Sequence, residues 1–143
     1  MAFTDAEINW IYDRTTGYCH ICHRKLAFKN YGIVGAYRAW EVEHSNPRAR
    51  GGGNHLNNLY PACIPCNRSK GKGSTRTARA QQGQKRAPLS VKKRQVARIK
   101  NSIAGAVVGG LVGSIFGRKI ALVGAGVGAR IGYKRNPDKR GVV

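Results

Sequence analysis

At 143 residues the chain has room for one ordinary domain, or for a small domain with a long appendage. Its 26 Lys+Arg against 6 Asp+Glu leave a formal charge of +20, an excess that solubility alone does not need, so the expected partner is a polyanion: nucleic acid or an anionic lipid face. The excess is uneven, with 9 basic against 5 acidic residues over 1–70 and 17 against 1 over 71–143, and two different materials therefore meet near residue 70.

A helix is predicted from Thr4 to Gly17. Thr4 can cap it, Glu7 three residues on can return the bond as a capping box, and Ile8, Ile11 and Tyr12 share a face over a small core. The first ten residues include Asp5 and Glu7 and have no apolar signal-peptide run, so a reducing cytoplasm is expected. Cys19-x2-Cys22 and Cys63-x2-Cys66 then read as one four-thiolate zinc site rather than as two disulfides, with His20 and His23 as the less favoured ligands.

From Leu26 to Ala36 no strong period survives, and a loop or short irregular hairpin is expected. Tyr37 to His44 alternates and reads as a strand. Asn46-Pro47 opens a turn through Gly51, Gly52 and Gly53, and Asn58 to Ala62 can return as the antiparallel partner, with Pro61 marking a short edge strand. The second knuckle leads into one or two helical turns that Gly71 ends. So small a core needs the metal staple for its stability.

Val42 to Lys70 concentrates the chemistry. His44 is a candidate base for activating water, and Glu43 and the side-chain oxygen of Asn67 are hard donors suited to Mg2+ and poorly suited to zinc. Asn58 is placed to fix the turn or the tautomer of His44. The patterns CHIC, WEVEHSNPRARGG and NNLYPACIPCNRSKG, over about Tyr18 to Gly71, resemble the HNH endonucleases and their ββα-metal finger. The resemblance implies that His44 is the general base, Glu43 the acidic metal ligand before it, Asn58 the middle asparagine that holds the loop and the histidine, and Asn67 the last metal ligand. It also implies a structural zinc on Cys19, Cys22, Cys63 and Cys66, and a catalytic Mg2+, Mn2+ or Ni2+. Glu43 replaces the commoner aspartate and Asn67 the commoner histidine. His55, in the tip of the Gly-rich turn, is read as exposed or touching nucleic acid.

From Arg68 to Lys100 there are 12 basic residues and no acidic one, which predicts a flexible, phosphate-binding connection. Arg48, Arg50, Arg68, Lys70, Lys72, Arg76 and Arg79 are the expected nucleic-acid contacts. Ser90 can cap a basic helix from Val91 with Val96, Ile99 and Ile103 on one face. Glycines at 105, 109, 113 and 117, and again at 124, 128 and 132, give a glycine-zipper spacing, expected as two helices turning at Gly117-Arg118-Lys119.

The expected fold is therefore a small α+β unit: a zinc-stapled ββα-metal finger preceded by a helix and followed by a basic linker and a glycine-rich helical hairpin. Its parts are a nuclease domain at 1–71, a linker and basic helix at 72–100, the hairpin at 101–133 and a basic tail at 134–143. The expected activity is metal-dependent hydrolysis of DNA, with RNA open to the same chemistry. The alternatives are a non-catalytic zinc module that binds nucleic acid, and a nuclease effector directed to a membrane or to self-association through residues 103–133.

Overall fold

The computed structural model describes residues 3–115 and 118–138. The chain divides after Val91 into two compact units.

In the first unit, helix α1 (Asp5–Asp13) begins with the expected capping box: the Thr4 hydroxyl accepts from the Glu7 N–H, and the Glu7 carboxylate accepts from the Thr4 N–H at 2.8 Å. It stops short of Gly17, whose φ of +68° turns the chain beneath Tyr12. A Cβ there would lie 2.3 Å from the tyrosine ring, so both conformation and space require glycine. Ile8 and Ile11 of α1 face a core with Ile21, Leu26, Leu59 and the fully buried Trp40. The Trp40 ring lies 4.9 Å from Tyr31 and 5.2 Å from Tyr12, and its indole N–H donates to the Phe28 carbonyl at 3.1 Å.

Strand β1 (Trp40–His44) pairs antiparallel with β2 (Leu59–Cys63), with Trp40 opposite Cys63 and His44 opposite Leu59. β1 is shorter than the alternation from Tyr37 predicts, because Arg38 takes a left-handed φ of +58° that no strand accommodates. The return strand starts one residue later than predicted. Pro61 lies opposite Val42, and its carbonyl accepts the His20 N–H at 3.0 Å, so the outer side of β2 is covered by the first knuckle. Helix α2 (Ile64–Lys70) follows directly, with Pro65 in its first turn, where an N–H has no helical partner to lose, and Gly71 closing it.

The chain from 72 to 91 departs from the flexible connection expected of its charge. It forms helix α3 (Thr75–Gln81), capped by Ser74, which buries Thr75 and Ala78 against the finger. The Thr75 hydroxyl donates to the Ser45 carbonyl at 3.1 Å, the Thr16 hydroxyl to the Leu89 carbonyl at 2.9 Å, and the His23 ring meets the Arg86 carbonyl at 2.8 Å. Two small buried residues three apart, with Arg79 bound to His20, dock a helix whose remaining surface is largely polar.

In the second unit, α4 (Val91–Ser114) and α5 (Arg118–Lys134) touch backbone to backbone. A Cβ on Gly105 or Gly109 would lie 2.1 Å from the carbonyl oxygen of Gly128 or Gly124 respectively. The large side chains point outward instead: Val96, Ile99 and Ile103 are exposed, as are Leu111 and Leu122. Arg94 is buried in an ion pair with Asp138. Of the turn predicted at Gly117-Arg118-Lys119, Gly117 lies outside the described residues, as does the tail beyond 138. Among the described residues no helix is long and apolar enough to cross a membrane.

Candidate active site

The four cysteines converge from both ends of the finger. Cys19 and Cys22 come from the first knuckle, Cys63 from the end of β2 and Cys66 from the first turns of α2. Their sulfurs all lie within 4.8 Å of one another, with Cys22 and Cys63 at 3.7 Å. A tetrahedral zinc with Zn–S near 2.3 Å needs sulfurs about 3.8 Å apart, so the cluster fits a structural zinc. Hydrogen bonds among the thiols, that with Cys19 first, hold Cys63 at about 7 and Cys22 below its ordinary value, whereas Cys19 is pushed up. Neither histidine of the knuckle joins them: His23 turns to Arg86, and His20 is held elsewhere.

His44 ends β1, and its Nε2 lies 2.8 Å from the Asn54 side-chain oxygen. That oxygen only accepts, so Nε2–H is the donor, and in the neutral ring the lone pair is then on Nδ1. The connection between the strands is pinned from inside by Asn58. Its oxygen accepts the Asn46 N–H at 2.6 Å, and its amide donates to the carbonyls of Asn46 at 3.0 Å and Gly53 at 2.9 Å. Gly52 passes so close that a Cβ would stand 1.8 Å from the Asn46 carbonyl oxygen. The Asn58 backbone adds a bond from Ser45 N–H to its carbonyl at 2.8 Å, which ties the end of β1 to the start of β2. The Asn58 side chain thus bonds to both ends of the loop, while the ring of His44 meets Asn54, a residue with no sequence signal of its own.

Glu43 and Asn67, expected to share one ion, are each engaged with other partners. The Glu43 side chain is fully buried, with Oε2 2.5 Å from His20 Nε2 and Oε1 2.5 Å from the Lys70 ammonium. Neither contact meets hydrogen-bond angles; that with Lys70 is an ion pair. Burial raises the Glu43 carboxyl, but His20 and Lys70 outweigh it and hold the group below its ordinary value. The Arg79 guanidinium donates to His20 Nδ1 at 2.9 Å and to its carbonyl at 2.8 Å. An arginine has no lone pair to offer, so His20 Nδ1 is the acceptor and the proton sits on Nε2, facing Glu43. Burial lowers the His20 pKa, consistent with a neutral ring, which also stacks on Tyr60 at 4.8 Å. Asn67, one turn before Lys70 on α2, donates its amide to Glu41 at 2.9 Å.

Two of the expected nucleic-acid contacts need correction. Lys70 has 2% of its side chain exposed and is bound to Glu43 and the His44 carbonyl, and Arg79 is bound to His20, so neither is a free phosphate contact. Counting charge along the sequence cannot tell a buried cation from a solvated one. Arg48, Arg50, Arg68, Lys72 and Arg76 are exposed. Arg14 was also missed: it donates to the Leu56 and Leu59 carbonyls at 2.5 and 2.6 Å and lies over the Tyr60 ring. His55 lines an open cleft of about 450 Å³ together with Asn46, Asn57, Asn58 and the three glycines of the turn.

Residues 19–73 match the family model for HNH endonuclease. No curated protein and no solved structure matches the chain.

Proposed function

From the HNH endonuclease domain that the chain carries at residues 19–73, we propose that this protein is a metal-dependent endonuclease that hydrolyses DNA phosphodiester bonds. The observation that carries the reading is His44, placed at the end of β1 with its ring oriented by Asn54, beside a loop pinned by Asn58. In this reading Nδ1 of His44 takes the proton from the attacking water. Asn54 keeps the ring in the tautomer that leaves Nδ1 free to accept. Asn58 keeps the loop closed, and Arg48, Arg50, Arg68, Lys72 and Arg76 hold the phosphate backbone without reading sequence.

The donor chemistry at Glu43 suits a hard divalent ion: a buried carboxylate whose oxygens lack aligned hydrogen bonds, held by Lys70, which follows Asn67 by one turn on α2. Glu43 and Asn67 would hold Mg2+, which when bound supplies positive charge against the negative charge that develops on the phosphate. The backbone approaches of α4 and α5 support a glycine zipper within one chain, attached to the nuclease unit as a second, basic element.

The test is nicking of supercoiled plasmid by the zinc-loaded full chain, with Mg2+ or without a divalent ion, beside the His44→Ala and Asn67→Ala variants. Loss of a general base should lower cutting by about 10²-fold or more while plasmid binding persists. Folded protein that binds plasmid but never cuts it with Mg2+, Mn2+ or Ni2+ would refute the enzyme in favour of a binding module.

A further inference from the structure

Lysine is among the residues least often buried, and a buried one needs a partner. Lys70 is the last residue of α2, with 2% of its side chain exposed. Its ammonium lies 2.5 Å from Glu43 Oε1 and donates to the His44 carbonyl at 3.0 Å. It thus occupies a cation position formed by the last two residues of β1. The second Glu43 oxygen is taken by His20, and the amide of Asn67, on the same face of α2 at i−3 from Lys70, is turned to Glu41.

We propose that Lys70 is a tethered cation that competes with the divalent metal ion for the carboxylate of Glu43. This rests on the reading above, in which Glu43 is a ligand of that ion. One carboxylate offers one negative charge. A divalent ion entering beside a resident ammonium would stand within a few ångströms of a like charge in a site shut off from water, where repulsion is poorly screened. The ion and Lys70 therefore exclude each other, and ion entry moves Lys70 off Oε1. The zinc-loaded finger without the divalent ion, in turn, keeps its buried acid matched by Lys70. The Glu43 oxygens, unaligned with either nitrogen, give up little directional bonding in the exchange.

Mn2+ is the probe, titrated into the zinc-loaded full chain and followed by the paramagnetic resonance of free Mn2+. Removing the resident competitor raises the fraction of binding-competent sites, so Lys70→Met should bind Mn2+ at least about tenfold more tightly than the unaltered chain. Glu43→Gln should lose that site. Equal or weaker binding in Lys70→Met overturns the proposal, as does Mn2+ binding that survives Glu43→Gln unchanged. If the unaltered chain shows no binding, its appearance in Lys70→Met supports the competition and continued absence refutes it.

Thermal unfolding gives a second readout. Mn2+ should raise the midpoint of Lys70→Met by more than that of the unaltered chain, and an equal shift counts against the proposal. Should Lys70→Met not retain zinc, Lys70→Gln, which can still donate to the His44 carbonyl, carries the same expectations. A chain that binds Mn2+ in this pattern yet leaves plasmid intact refutes the endonuclease and leaves the competition standing.

Discussion

Replacing Asn58 by alanine tests how the loop is held. The side chain makes three hydrogen bonds, one from the Asn46 N–H at 2.6 Å and two to the carbonyls of Asn46 and Gly53 at 3.0 and 2.9 Å. Each is worth about 1 kcal/mol net, and a partner left unsatisfied costs somewhat more. Two of the three bonds are exposed and the one to Gly53 is partly buried, so water can replace some of them. The sum is therefore about 2–4 kcal/mol, at the upper end of ordinary single substitutions. For a unit of this size each kcal/mol shifts the midpoint by about 4–8 °C, so Asn58→Ala should unfold roughly 10–30 °C lower. The assay is thermal unfolding of the zinc-loaded chain by circular dichroism. Asn58→Asp is the companion: it keeps the acceptor for Asn46 N–H but sets a carboxylate against two carbonyls, and should be no more stable than alanine. A loss of only a few degrees in Asn58→Ala, or an aspartate variant as stable as the asparagine, would refute the claim that this side chain pins the loop.

Two further outcomes follow from the geometry. Chelating zinc, or replacing Cys63 by serine, should abolish cooperative unfolding of the first unit, because an ion on the four sulfurs ties the first knuckle to β2 and α2 in a core too small to fold without it; a chelated protein that keeps its midpoint would contradict a structural zinc. Ending the chain at residue 71 should lower the midpoint by about 10 °C or more relative to ending it at 91, since it strips the core of Ala78 and leaves the Ser45 and His20 carbonyls without Thr75 and Arg79. Equal midpoints would mean that α3 is not part of the folded unit.

The local chemistry of the chain was legible because it depends on short spacings. A capping box is four residues long, CxxC sets two sulfurs on one side of a turn, and an alternating run ending in His44 places that residue at a strand end whatever surrounds it. The HNH pattern adds only their order. The cluster of four thiols, the β-hairpin and the turn stapled by Asn58 all follow from residues near one another in sequence or from two such motifs meeting.

Tertiary structure decided which charges are paired. Lys70 and Arg79 look like any other cation in a basic run, and Glu43 like an acid waiting for a metal. Only the docking of α2 and α3 on the finger puts an ammonium at 2.5 Å from that acid and a guanidinium on His20. These contacts join residues 27 and 59 positions apart, and no periodicity reports them. Likewise, Thr75 and Ala78 make α3 a packed helix because Ser45 and the core lie where they can cover them. Composition determined that this chain carries an excess of positive charge; burial determined which of those charges are left to meet a phosphate.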